Sequence, residues 1–215
     1  MGDLQDLPEE MRDAARRGDA ELDDLREAAR GCRACELYRN ATQTVFGTGG
    51  EGARLMLVGE QPGDREDVTG EPFVGPAGRL LDEALEAAGI DRRLVYVTNV
   101  VKHFKWRRAP SGKRRIHQKP DRAEVEACRP WLEGELARVR PELVVCLGAT
   151  AAQAIIGPGF RVTREHGQVR PSGLGVPALG TIHPSAVLRA RSSADRDTMF
   201  GQLVDDLRAA ALRLA

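Results

Sequence analysis

Three short apolar runs, Leu55–Val58, Leu94–Val97 and Leu143–Leu147, constrain the fold of this chain more than any other feature. Each is continuous where a half-exposed strand would alternate, the pattern of strands covered on both faces. A fourth run spans Val176–Ile182. Helical patterns separate them. Leu80, Leu81, Ala84, Leu85 and Ala88 make one stripe, closed by Gly89. Asp121 and Glu124 form a capping box opening a helix that Pro130 is expected to break and restart. Ala149–Ile156 is a third helix, stopped by Gly157-Pro158, and Met199, Phe200, Leu203, Val204 and Leu207 stripe a C-terminal one. Strands alternating with helices imply an α/β fold, with a parallel sheet covered by helices on both faces.

A chain of 215 residues leaves little room for two independent cores. Residues 1–18 are polar, acidic and weakly patterned, and are read as a mobile N-terminal arm. A helix is expected over Asp19–Arg30, with Asp19 as cap, Leu22 and Leu25 on one face, and Gly31 as stop. Residues 19–215 are expected to form a single domain. No apolar run reaches bilayer length, and the N-terminus lacks the basic-then-apolar order of a secretory signal. The expectation is a cytoplasmic protein without a membrane partner.

Global charge is uninformative, because 32 basic residues balance 32 acidic ones. Its distribution is not. Between Val101 and Arg122 nine Lys or Arg face one acid, Asp121, which leaves 23 basic against 31 acidic residues elsewhere. A cationic insertion at about 102–120 in an otherwise acidic protein suits a polyanion such as nucleic acid, though a solvated loop would look alike.

In parallel sheets ligands collect beyond the carboxyl ends of the strands. There the first run leads into Gly59-Glu60-Gln61-Pro62-Gly63-Asp64, and the second into Thr98-Asn99 and the basic segment with His103 and His117. The fourth leads into His183-Pro184-Ser185. A carboxylate, an amide and imidazoles thus meet at one edge. Glu60 can act as a base or stabilise positive charge, or merely cap a loop N–H. His183 can donate to an anion forming on a leaving group, or be structural. His117, flanked by cations that would keep it neutral, can be a base or nucleophile, or a surface His. Phe73, one of only five Phe, can stack on a flat ring or anchor its Gly/Pro loop. Asp64, Glu66 and Asp67 are read first as solvated or capping. The glycines at 47, 49, 50 and 52 precede a strand and match no phosphate-binding fingerprint, so turn chemistry explains them.

Four cysteines, at 32, 35, 128 and 146, include one C-x-x-C pair. They are metal ligands or, for Cys128 and Cys146, buried thiols. The spacing fits an iron–sulfur cluster somewhat better than zinc without settling the metal.

Taken together, these motifs resemble the iron–sulfur uracil-DNA glycosylases, family 4 and its relatives, and within them the type called UdgX. The segments that carry the resemblance are G-E-Q-P-G-D-x-E-D at 59–67, P-F-V-G-P-A-G-R-L-L at 72–81, V-T-N at 97–99, K-R-R-I-H at 113–117 and H-P-S at 183–185. It implies a three-layer α/β/α sandwich with a four-stranded parallel sheet, and a [4Fe–4S] cluster on Cys32, Cys35, Cys128 and Cys146. It also implies catalysis by Glu60, His183 and His117, with a flipped uracil bound by Gly59, Gln61, Asp64, Phe73 and Asn99. DNA would be held by Lys102, Lys113, Arg114, Arg115 and Ser185.

Ordinary family members lack the K-R-R-I-H insertion, usually carry Ala where Gln61 stands, and use water as nucleophile. In the UdgX type the loop histidine, here His117, attacks the sugar C1′ and leaves protein joined to DNA. Three functions therefore compete: uracil excision with covalent capture, a conventional multi-turnover glycosylase, and a non-catalytic single-strand-binding module. The expected partner is uracil-containing DNA, single-stranded by preference, bound by a monomer in the bacterial cytoplasm and at the nucleoid.

Overall fold

A computed structural model describes residues 21–110, 112 and 114–214. The expected N-terminal arm, the Asp19 cap and Lys113 lie outside the described residues.

The apolar runs become strands β1 (Leu55–Gly59), β2 (Val95–Asn99), β5 (Leu143–Leu147) and β7 (Ala178–Thr181), all parallel. The first three are buried at every position, as their unbroken hydrophobicity requires. Their side chains alternate between two cores. Met56, Val58, Tyr96, Val144 and Cys146 face one side, in a core shared with α1 (Leu22–Arg30), α4 (Arg122–Val139), α5 (Ala149–Ile155) and α6 (Val162–Glu165). Leu55, Leu57, Val95, Val97, Leu143, Val145 and Leu147 face α3 (Pro76–Ala87), α7 (Pro184–Leu188) and α8 (Ser193–Leu214). This is the expected three-layer α/β/α sandwich. A two-residue antiparallel strand, β6 (Val169–Arg170), adds an edge, so the sheet has five strands in the order β2-β1-β5-β7-β6.

The strand order carries the functional consequence. The chain enters at β1, adds β2 on one side through α2 (Asp64–Thr69) and α3, then crosses to β5 on the other. The β1/β5 boundary is where the order reverses, and such a reversal opens a crevice at the carboxyl ends of the strands.

Three local expectations change. Helix α1 is capped at Glu21, whose backbone N–H donates to the Asp24 carboxylate at 3.2 Å. Helix α4 opens on the Asp121–Glu124 box as expected but runs unbroken through Pro130. Buried Cys128, Trp131, Leu132, Glu135 and Leu136 flank the proline, so packing of both halves outweighs a proline cost of roughly 3 kcal/mol. The basic segment is no uniform loop: Val101–Phe104 are buried, and only then do β3 (Trp106–Arg108) and β4 (Arg115–His117) form an antiparallel hairpin. No helix among the described residues is long and apolar enough to cross a membrane.

Candidate active site

The crevice is a cavity of about 650 Å³. Glu60 and Gln61 enter it from the end of β1, Asn99 from β2, Leu147–Thr150 from β5 and α5, and His183 and Ser185 from β7 and α7. Phe73 and His117 close it from the loop before α3 and from β4.

Glu60 is held from two directions. Thr150 Oγ1 donates to Oε2, and His117 Nε2 lies 3.3 Å from Oε1. Burial is the main influence on the His117 imidazole and lowers its pKa; Glu60 opposes the shift and Arg189 adds to it. His183 is pushed down to about 4 by burial, with Arg189 and His117 adding to the effect. The Ser185 backbone N–H donates to His183 Nδ1 at 3.1 Å, and the Ser185 hydroxyl lies 2.8 Å from the same nitrogen. A neutral His183 that accepts at Nδ1 carries its proton on Nε2, where it can be donated.

Gly59 sits where no other residue fits: a Cβ there would lie 2.4 Å from Asn99 Oδ1 and 2.7 Å from Phe73 Cζ. The bare backbone lets the Phe73 ring and the Asn99 amide close together over the strand end. Phe73 has a left-handed backbone (φ 59°), uncommon for an aromatic residue, and its ring lies 6.0 Å from that of His183. Asn99 Oδ1 is buried without a hydrogen-bond partner. An orphaned acceptor in a cavity wall is open to a hydrogen bond from a ligand or from water.

The hairpin is tied to the site by residues to which other roles were expected. Gln61 is buried; its amide donates to the Lys105 and Gln118 carbonyls and accepts the Lys105 N–H. Gln61, expected to bind uracil, lines the cavity, while its side-chain amide closes the base of the hairpin. Arg115, expected on DNA, instead forms ion pairs with Asp64 and Asp67 and lies over the Phe104 and Trp106 rings. Asp64, expected on uracil, is therefore a hairpin anchor. Asp67, expected to be solvated or capping, is wholly buried and accepts from the Thr42 N–H and hydroxyl as well as from Arg115. Glu66 is also buried and accepts the Gly75 N–H at 2.8 Å. Lys102, expected on DNA, has a 1% exposed side chain paired with Glu135 and cannot reach a phosphate. Arg107, Arg108 and Arg114 are exposed on the hairpin, and Lys119 and Arg189 are exposed at the cavity. Thr150 and Arg189 escaped the sequence reading because neither lies in a distinctive motif.

The four cysteines lie on one side of the sheet. Cys32, Cys128 and Cys146 belong to the core beneath α1 and α4, and Cys35 packs against it. Two of their sulfurs face N–H donors: Trp131 Nε1 to Cys32 Sγ at 3.2 Å and the Lys102 backbone N–H to Cys128 Sγ at 3.1 Å. Burial pushes the Cys128 thiol up to about 12, Lys102 opposes this, and Cys32 and Cys35 add to it. Among the described residues no three His, Cys, Asp or Glu side chains converge as ligands of a metal ion.

The family model of the uracil DNA glycosylase superfamily matches residues 46–208, which include every residue lining the cavity. The chain belongs to this superfamily. Among similar members, a type-4 uracil-DNA glycosylase of Archaeoglobus fulgidus is 40% identical over 174 residues, covering 78% of this chain and 83% of its own length. A type-4 enzyme of Thermotoga maritima is 39% identical over 168 residues, covering 78% and 83%, and one of Pyrobaculum aerophilum 38% over 176, covering 79% and 85%. The superfamily match leaves Cys32 and Cys35 outside its bounds.

Proposed function

We propose that this chain excises uracil from DNA and captures the resulting sugar covalently through His117. The membership and the cavity support the first half. The 3.3 Å approach of His117 Nε2 to Glu60 Oε1 carries the second, because it brings a nucleophile and a carboxylate to the same point.

A uracil turned out of the strand enters the cavity, stacks on Phe73 and satisfies the unpartnered Asn99 Oδ1 with its ring N–H. The His183 Nε2–H donates to the uracil carbonyl oxygen on which charge develops. The C1′–N1 bond breaks, its electron pair leaves with uracil, and the sugar becomes an oxocarbenium ion facing Glu60. In the resting site Glu60 favours a proton on His117 Nε2. When C1′ arrives, it replaces that proton as the positive partner of the carboxylate. The tautomer with the proton on Nδ1 then has its Nε2 lone pair free to bond to C1′. The Nδ1 proton leaves for solvent, and uracil takes up a proton.

The hairpin anchors at Gln61, Asp64 and Asp67 support capture, since a histidine that merely shields the site needs no such fixing. A second reading, water as nucleophile with many turnovers, draws support from the type-4 relatives. Counting uracil released per protein molecule decides between them. Capture predicts release that stops near one equivalent in the native protein and continues in His117→Ser. Release far beyond one equivalent from the native protein would favour water.

DNA phosphates fit the exposed Arg107, Arg108, Arg114, Lys119 and Arg189 better than the buried Lys102 or the anchored Arg115. We propose a monomer and a preference for single strands, in which no base pair opposes extrusion.

Cys32, Cys35, Cys128 and Cys146 fit a [4Fe–4S] cluster in donor type and location. Such a cluster spreads its ligands over several irons, so its thiolates need not meet at one point, and N–H donors to sulfur suit thiolate ligands. When bound, it would cross-link the end of α1, α4 and β5. Its role here is structural, as none of the four cysteines lines the cavity. Iron content near four per chain, lost with the melting temperature in Cys35→Ser, tests this.

A further inference from the structure

Beneath the cavity, and outside it, lies a buried ion pair. The side chains of Lys102 and Glu135 are 1% and 0% exposed, with Nζ 2.6 Å from Oε2. Burying two charges costs more than burying an apolar pair of the same size unless every remaining donor and acceptor is met. Here they are met. Lys102 Nζ also donates to Thr98 Oγ1 at 2.6 Å and to the Asn99 carbonyl at 2.8 Å. Glu135 accepts the Thr98 hydroxyl at 2.9 Å, the Tyr96 hydroxyl at 3.2 Å and the Gly47 N–H at 2.9 Å.

The backbone of Lys102 is fixed as well. Its N–H points at Cys128 Sγ, and its carbonyl accepts the Val45 N–H at 2.8 Å. Next to it, the Val100 and Val101 N–H groups hold the Gly59 and Glu60 carbonyls at 3.0 and 3.1 Å. The ammonium therefore clamps the end of β2 from inside, on the carbonyl of Asn99, whose buried side-chain oxygen lacks a protein partner. With no protein hydrogen bond on Oδ1, the aim of the Asn99 amide depends on its backbone and on packing against Gly59 and Phe73.

We propose that the Lys102–Glu135 pair is a positioning device for base recognition, holding the Asn99 backbone so that its amide meets uracil. This rests on the reading of Asn99 as the base-recognising residue. The pair touches neither base nor sugar. A merely structural pair could be replaced by an apolar one of similar volume without effect on recognition.

The test uses the full protein and free uracil as probe. Titration calorimetry gives uracil affinity for the native chain, Lys102→Met with Glu135→Leu, and Asn99→Ala, alongside melting temperatures and binding to a thymine-containing oligonucleotide. The double variant is expected to melt below the native protein, because the Gly47 N–H, the Tyr96 and Thr98 hydroxyls and the Asn99 carbonyl lose buried partners, but to bind the thymine oligonucleotide equally well. It should bind uracil about tenfold more weakly, the scale of one well-placed hydrogen bond. Native uracil affinity in the double variant would overturn the proposal. If Asn99→Ala is weakened while the double variant is not, the positioning role alone falls. If Asn99→Ala also binds normally, the base-recognition reading falls, and the proposal with it. Glu135→Gln keeps the shape of the site should the double variant fail to fold. A lowered melting temperature with unchanged uracil affinity in that variant would equally overturn the proposal.

Discussion

The wholly buried Asp67 carboxylate, on the short helix after β1, forms an ion pair with Arg115, two residues before His117 on the hairpin. The pair sets where the hairpin strand enters the cavity. Arg115→Met would leave a buried carboxylate with only Thr42 as partner, at a cost of about 3 kcal/mol. A loosened His117 should slow adduct formation by about tenfold to a hundredfold, the scale of a 1 Å misplacement. Thermal melting and single-turnover kinetics check the two effects. An adduct formed at the native rate would show that the anchor does not position His117.

The proposed adduct requires a neutral His117. Burial lowers its folded pKa below the ordinary 6.5, so the imidazole is uncharged at neutral pH. The rate should be level above pH 6.5 and fall on acidification, with its midpoint below 6.5. Arg189 disfavours the imidazolium, so Arg189→Ala should move the midpoint upward. A downward move, or none, would remove Arg189 from this role.

Acid should also destabilise the fold. Burial lowers both His103 and His183 from 6.5 to about 4. Their unfolded forms take up protons first as the pH falls, so the stability of the neutral buried rings is present above 6.5. It is lost between 6.5 and about 4, on the order of 2 kcal/mol per ring. Urea unfolding from pH 7 to 4 measures the loss, and His103→Asn should flatten it.

Gly59→Ala tests the close approach at the end of β1. The added methyl meets Asn99 Oδ1 and Phe73 Cζ well inside contact distance, and both line the base cavity. Uracil release should fall by about a hundredfold or more, because the reacting geometry is displaced. Iron content should stay unchanged. Native activity in this variant would mean that the cavity wall yields.

The sheet was legible because β1, β2 and β5 are buried on both faces, which leaves an unbroken apolar signature. The site edge followed, since Glu60 and His183 stand just past a strand and Asn99 is the last residue of one. The hairpin was not legible: β3 and β4 are three residues each, rich in Arg, and held by side chains rather than apolar alternation. Lys102 read as one more cation of that segment. Its burial depends on Glu135, 33 positions away, and no local pattern announces such a partner. Asp67 and Arg115 misled for the same reason, each a charged residue with a distant counter-charge. β6, two residues at the sheet edge, has too little sequence for any periodicity. Pro130 was a local rule outweighed by tertiary packing.

The proposed bond between His117 and the sugar it exposes can be seen directly. The direct measurement mixes the protein with a labelled oligonucleotide carrying one uracil, or thymine in its place, and resolves the products on a denaturing gel. Capture through His117 predicts a uracil-dependent band, shifted by one protein mass and stable to heat and detergent, that His117→Ser abolishes while still releasing uracil. An alkali-labile abasic product without a shifted band, or an undiminished band from His117→Ser, would contradict it.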